Sequence, residues 1–181
     1  FLLSLENDEK KMWKKLNKKR RNTIRNSVKQ GVLIEELSNI DDIDTVFNIL
    51  SVVYSQKGLS LPSKTLFYNT YKYLSPFNSI KIFLAKKEKE IIGTMGLLIS
   101  NNKVYNWFAA SLPAYYSVYP NDLLYWHSIK WSSNNKYELF DMGGAGSPNV
   151  KYGVRNFKSK FGGELVEYGR YEMDHVPILP K

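Results

Sequence analysis

Cysteine is absent from the 181 residues, and histidine occurs only as His127 and His175. Without thiols there is no disulfide, thiolate metal site or cysteine nucleophile, a composition that suits a reducing compartment. Two histidines leave almost no material for a zinc site or a catalytic triad, so no metal centre is expected. No run approaches the roughly 20 apolar residues that a membrane-spanning helix needs. The opening Phe1-Leu2-Leu3 leads into acids rather than a signal-peptide pattern, and no methionine precedes it, so we read the chain as a piece of a longer protein. Acidic residues are missing from one long stretch: from Lys10 to Lys29 there are ten Lys and Arg and no Asp or Glu. The net charge of +9 therefore belongs to one element, and the remainder is close to neutral.

Apolar residues make up 43% of the chain and aromatics 14%, enough for a packed core in a chain of one-domain size. Glu6 to Gln30 reads as one helix, with Met12, Leu16, Ile24 and Val28 on a shared face, acids at its start and Gly31 as its stop. Val32 to Leu37 reads as a strand. Asp41, Asp42 and Asp44 open a helix through about Tyr54, and Ser63 caps another from Lys64 to Leu74, ended by Pro76. Ser79 to Ala85, Ile91 to Ser100 and Lys103 to Ala110 are extended segments joined by short polar connections, the pattern of an antiparallel meander. A helix from Asn121 to Ser133, a strand from Tyr137 to Met142, a helix from Asn149 to Lys160 and a strand from Glu164 to Glu172 complete the order. This is an α/β protein, an α+β mixed sheet covered by helices. There is no internal repeat and no low-complexity segment.

The densest chemistry lies near the C-terminal end. Asp141-Met-Gly-Gly-Ala-Gly146 is followed by Gly153-Val-Arg-Asn-Phe-Lys-Ser-Lys-Phe-Gly-Gly163. In the last helix Val150, Val154, Phe157 and Phe161 have the spacing of a core-facing stripe, with Lys151, Arg155 and Lys158 as a cationic stripe alongside. By themselves these cations read equally as a solvated face. Asp141 suits either a proton acceptor or a cap on the glycine turn. Gly143 and Gly144 give a ligand access to backbone, or serve the turn alone.

Three pieces resemble the FemABX peptidoglycan-bridge aminoacyltransferases, in particular their second GNAT-like domain. They are Tyr137-x-x-x-Asp141-x-Gly-Gly144 with Phe157-Lys158-x-x-Phe161-Gly-Gly163, the basic segment Arg20-Arg21-x-x-Ile24-Arg25 running to Gly31-Val32, and Asn121-Asp-Leu-Leu-Tyr-Trp126-x-x-Ile129. The resemblance covers nearly the whole chain and implies a GNAT-like acyltransferase fold over 32–181. A long basic helix over 1–31 would link it to a missing N-terminal GNAT-like domain of the same protein. It implies an aminoacyltransferase that moves an amino acid from aminoacyl-tRNA to an amine of a muramyl-peptide cell-wall precursor, with no bound cofactor. The setting would be the cytoplasm, at the inner face of the membrane.

Lys158 matches the family's catalytic lysine, and a fixed cation there suits an oxyanion and a departing ribose oxygen. Phe157 would be its apolar wall, and Asp141 would accept a proton from the attacking amine. Arg155, Gly143 and Gly144 would meet substrate. Lys64 and Tyr68, one turn apart, stand where the family has arginine and tyrosine for the acceptor, with lysine here giving up the bidentate fork. Arg20, Arg21 and Arg25 would meet tRNA phosphates, or the basic helix would lie on an anionic membrane, or simply pack and stay solvated. The chain carries no long helical arm of the kind some members insert for tRNA.

Two other readings stay open. Acyl-CoA is the alternative donor, for an N-acyltransferase acting on an amino sugar or polysaccharide precursor, although Ser111 to Pro120 contains no glycine to cradle a pyrophosphate. A non-enzymatic RNA-binding module built on the basic helix is the third reading. His127, inside an apolar helical stretch, reads as a core residue rather than a base.

Overall fold

The computed structural model describes residues 1–147 and 149–167. A single mixed sheet of six strands runs through the molecule in the order β1-β6-β5-β4-β3-β2. The strands are β1 (Leu2–Ser4), β2 (Val32–Glu36), β3 (Ile80–Lys87), β4 (Glu90–Ser100), β5 (Lys103–Ser111) and β6 (Leu139–Asp141). All neighbours are antiparallel except β5 and β6, which run parallel. The helices are α1 (Glu9–Lys15), α2 (Lys18–Lys29), α3 (Ile43–Gln56), α4 (Lys64–Leu74), α5 (Pro120–Asn134) and α6 (Gly153–Lys158). None among the described residues is long and apolar enough to cross a membrane.

Strand β3 explains why the sheet has helices on both faces. Its alternate residues Ile80, Ile82 and Leu84 pack with Val46, Leu50 and Phe67 of α3 and α4, whereas Phe83 and Ala85 join the core beneath α1, α2 and α5. A strand apolar at both parities can only be satisfied when both faces are covered. Helix α5 shows the same logic in helical form: Leu124 and Ile129 are fully buried, and Ser128 and Ser132 are buried as well. Ser132 returns its hydroxyl to the Ser128 carbonyl at 2.8 Å. Each fully buried aliphatic side chain contributes about 1.5–3 kcal/mol relative to exposure, so α5 is the main fastener of this layer.

The meander β3–β4–β5 forms as its polar connections predict. One irregularity matters: Gly96 opposes Phe108 and Leu97 opposes Asn106, so Trp107 is an extra residue, a β-bulge. Ahead of it Val104 belongs to the α5-side core, and beyond it Phe108 and Ala110 belong to the α3–α4 core. The bulge thus exchanges the faces of β5.

Three expectations need correction. The segment from Glu6 to Gln30 is two helices rather than one. Leu16 is extended, and Asn17 starts α2 by accepting from the Lys19 N–H at 2.9 Å. Arg21 satisfies the end of α1, donating to the carbonyls of Lys14 at 3.1 Å and Leu16 at 2.7 Å. The break swings α2, so Met12, Leu16 and Ile24 are buried while Val28 remains 57% exposed. Second, the last helix is shorter than expected, six residues from Gly153 followed by a 3-10 turn, Ser159–Phe161. Val150 and Lys151 lie outside it and are exposed, so neither the apolar nor the cationic stripe exists in full. Third, Leu2–Ser4 is a strand, which no periodicity announced; it pairs with β6, and Leu2 also exchanges backbone bonds with Glu164 at 2.9 and 2.8 Å. The expected strand from Glu164 to Glu172 is represented by that single bridge, and its part beyond Glu167 lies outside the described residues.

One buried charge pair joins the helices. Asp122, in the first turn of α5, accepts from the Arg20 guanidinium and the Thr23 hydroxyl of α2. Both charged side chains are nearly excluded from water, at 11% and 7% exposure. Removing one member strands the other, which costs about 3–5 kcal/mol, whereas replacing both with apolar groups costs far less. Asp122→Ala is therefore expected to lower the urea midpoint strongly, and Arg20→Met with Asp122→Leu to restore most of the loss. An additive double variant would contradict the pairing.

Candidate active site

Strands β5 and β6 keep register for three residues, from Lys103 opposite Leu139 to Tyr105 opposite Asp141. Beyond that point the chain after Asp141 leaves the regular ladder through four residues, Gly143 to Gly146. A cleft of about 670 Å³ lies at the end of β6, beside this loop. Tyr105, Asp141, Gly143, Gly144 and Arg155 border it, with Leu165 and Val166 adding an apolar wall.

The turn is held from three directions. Gly143 adopts φ +72°, and a Cβ there would lie 3.1 Å from the Asn106 carbonyl oxygen, so the loop rides directly on β5 and glycine is required. The Gly143 N–H donates to Asp141 Oδ1 at 2.8 Å, so Asp141 caps the turn while also facing the cleft. Arg155 donates to the carbonyl oxygens of Ala145 at 3.0 Å and Val150 at 3.1 Å, and also to that of Ser147. One planar guanidinium thereby braces the outgoing loop, a task that a lysine cannot copy.

Lys158 is the unusual group. It ends α6, is only 6% exposed, and donates from Nζ to the Gly144 carbonyl at 2.8 Å. Burial pushes its ammonium down to about 8, and the negative charge of Asp141 partly offsets that effect. The ammonium is still mainly protonated at neutral pH, and among the described residues it makes one hydrogen bond, through one of its three N–H groups. It lies directly beneath the glycine turn: a Cβ on Gly143 would come within 3.8 Å of Nζ. Lys158 faces inward because the chain around it is pinned on both sides. Phe161 is fully buried one turn on, and Gly162 takes φ +89° so that its backbone can pass Lys15, where a Cβ would approach the carbonyl oxygen to 2.9 Å.

Phe157 sits one layer behind Lys158. Its ring lies 4.2 Å beneath the Arg20 guanidinium and 5.2 Å from each of Tyr125 and Phe161. Tyr125 in turn donates to Asn106 Oδ1 at 2.9 Å, and Asn106 Nδ2 donates to the Phe108 carbonyl at 3.0 Å across the bulge. Burial pushes the Tyr125 phenol up, so it stays a neutral donor.

The structure thus sets Asp141, Gly143, Gly144 and Arg155 around one cleft, with Lys158 buried behind the glycine turn rather than in the lining, and leaves other sequence candidates elsewhere. Lys64 and Tyr68 are on the exposed side of α4, outside the cleft lining, with Lys64 paired to Asp44 at 3.1 Å. Of the three arginines expected at phosphates, Arg20 is internal, Arg21 closes α1, and Arg25 lies 5.2 Å over the Trp13 ring. His127 packs against Phe83 at 4.7 Å, and burial holds it near 4, neutral at physiological pH. Sequence reasoning missed Tyr105, Asn106 and Tyr125. Asn106 had a visible signal, being the one polar residue at an inward position between Val104 and Phe108.

A family described as an acetyltransferase (GNAT) domain matches residues 14–159. The chain belongs to this family. The GNAT domain superposes on FemX with a TM-score of 0.81 at 14% identity, over 89% of this chain and 57% of that one. L-PGS from Bacillus licheniformis gives 0.59 at 15%, over 90% of this chain and 55% of that one. An aminoglycoside 6'-N-acetyltransferase from Acinetobacter baumannii gives 0.61 at 12%, over 81% and 99%. At these identities the likeness is one of fold. The GNAT domain thus spans little more than half the length of FemX and L-PGS. No curated protein matches it in sequence.

A buried ammonium weakens the domain that carries it. The folded value near 8 lies below the ordinary 10.5, so between these pH values the unfolded chain binds more protons and stability rises with pH. Below pH 8 the whole penalty is present, on the order of 3 kcal/mol. Lys158→Met is expected to raise the urea midpoint at pH 7, with the advantage shrinking as pH approaches 10.5. A variant less stable than the parent at every pH would contradict the desolvation account.

Proposed function

We propose that this GNAT domain transfers an aminoacyl group from aminoacyl-tRNA to an amine of a muramyl-peptide cell-wall precursor, with Lys158 as the electrostatic centre. The observation that carries the reading is the buried Lys158 ammonium, fixed to the carbonyl of Gly144, a residue that borders the cleft.

In this reaction the acceptor nitrogen attacks the ester carbonyl, the carbonyl oxygen gains negative charge, and the bond to the ribose oxygen then breaks. An ammonium held in a partly dry site stabilises both anionic oxygens more than water does, because its position is set in advance. Its lowered value also makes it a competent proton donor to the departing ribose oxygen. Asp141, on the cleft wall, receives the proton that the attacking amine releases. Gly143 and Gly144 let the donor approach backbone, and Arg155 keeps their loop in place. Tyr105 borders the acceptor's approach.

The acyl-CoA reading has support in the fold shared with the aminoglycoside acetyltransferase. Against it stands the start of α5. The loop before it is a 3-10 turn, Pro113–Val118, without glycine, and Pro120 supplies no N–H. A pyrophosphate would find no glycine cradle and one backbone N–H fewer there.

The test is transfer of labelled amino acids from charged tRNA to lysine-containing muramyl peptides by the full-length protein, with acetyl-CoA and amino sugars as the competing pair. Lys158→Met is expected to cut kcat by on the order of 10²–10³ with the fold intact. The parent rate should fall as pH rises through about 8, where the ammonium is lost. Transfer from acetyl-CoA but from no charged tRNA would replace this reading with the second one.

A further inference from the structure

The layer formed by α1, α2 and α5 carries a second groove, of about 770 Å³, that shares no residue with the cleft. Its floor is apolar, with Trp13, Val28 and Trp126 among its residues. Its rim is cationic: Lys10 and Lys14 from α1, Arg25 from α2 and Lys130 from α5, against a single acid, Glu9. Among the described residues Lys10, Lys14 and Lys130 enter no ion pair. The break at Leu16–Asn17 that splits α1 from α2 is what leaves Val28, 57% exposed, beside these cations.

An occupant of this groove must be anionic and partly aliphatic. Single-stranded nucleic acid binds through free aromatic faces as well as through phosphates. Here Trp126 is only 6% exposed, while Trp13 is engaged by Trp126 at 4.9 Å and by the Arg25 guanidinium at 5.2 Å. The open apolar surface is an aliphatic side chain and a tryptophan edge set among lysines, the combination that belongs at the boundary between headgroups and acyl chains.

We propose that the groove is a docking site for an anionic lipid bilayer surface. Lipid phosphates meet Lys10, Lys14, Arg25 and Lys130, and Val28 with the edge of Trp13 enters the headgroup layer. The site is separate from the transfer chemistry and does not depend on the donor or acceptor.

The test is sedimentation of the full-length protein with mixed phosphatidylglycerol–phosphatidylcholine vesicles and with phosphatidylcholine vesicles alone, in near-physiological salt. Binding to the anionic vesicles only is expected. Lys14→Ala with Lys130→Ala should weaken it by about 30-fold, taking the usual contribution of a basic residue near an anionic surface. Val28→Ser, at an exposed position, should weaken it by about fivefold through lost apolar burial. A control of equal charge change, Lys57→Ala with Lys89→Ala, should leave binding within about twofold, since neither lysine lines the groove. Equal losses in both lysine pairs, equal affinity for the uncharged vesicles, or no sedimentation would each overturn the proposal. So would an oligouridine that binds through Lys14 and Lys130 while the vesicles do not, which would assign the groove to RNA.

Discussion

The contact between Arg20 and Asp122 sets the geometry of more of this molecule than any other pair. Asp122 places a negative charge in the first turn of α5, where the unsatisfied N–H groups favour one. Arg20 brings the compensating charge from α2 and spreads its flat guanidinium over Phe157. Three helices distant in sequence are thereby held in one arrangement, and α6 is fixed relative to the sheet. Apolar contacts alone would hold α2 on α5 with less definition, because dispersion is nearly indifferent to a small slide, whereas an ion pair excluded from water is not.

That definition matters because Lys158 is one residue from Phe157. A lysine at the end of a six-residue helix would ordinarily extend into solvent. Here Phe157 under Arg20, Phe161 in the core and the two glycines after it leave the side chain one direction, beneath the glycine turn. The domain maintains an unfavourable ammonium at this place, and the surrounding packing supplies the stability that the ammonium removes.

Much of the fold was legible in the sequence because its signals are local. The helices α3, α4 and α5 and the meander β3–β4–β5 lie within a few residues of where periodicity, caps and short polar connections put them. The break between α1 and α2 was hidden by an accident of spacing: Met12, Leu16, Ile24 and Val28 fit one uninterrupted helix, and only the cap at Asn17 argues otherwise. The short β1 carries no alternation long enough to read. The direction of Lys158 was not legible either, since the sequence offers a cationic stripe with Lys151 and Arg155, and only tertiary packing turns one member inward. Arg20 was misleading for the opposite reason. A run of ten cations conceals the one that pairs internally, because its partner Asp122 lies about a hundred residues away.

Among the described residues, one edge of the sheet joins segments far apart in sequence. Leu2–Ser4 takes its place only between β6 and the backbone of Glu164. A ribosome releases the chain from the N-terminal side, so this strand has no partner until Leu139–Asp141 have emerged, and lacks its second until Glu164 follows. The basic helices likewise wait for Asp122 before Arg20 can be neutralised. Among the described residues, pairing of β1 and neutralisation of Arg20 therefore wait for segments made more than a hundred residues later. A truncated translation product ending before Gly143 would carry the meander and most of the core, yet none of the turn or of Lys158.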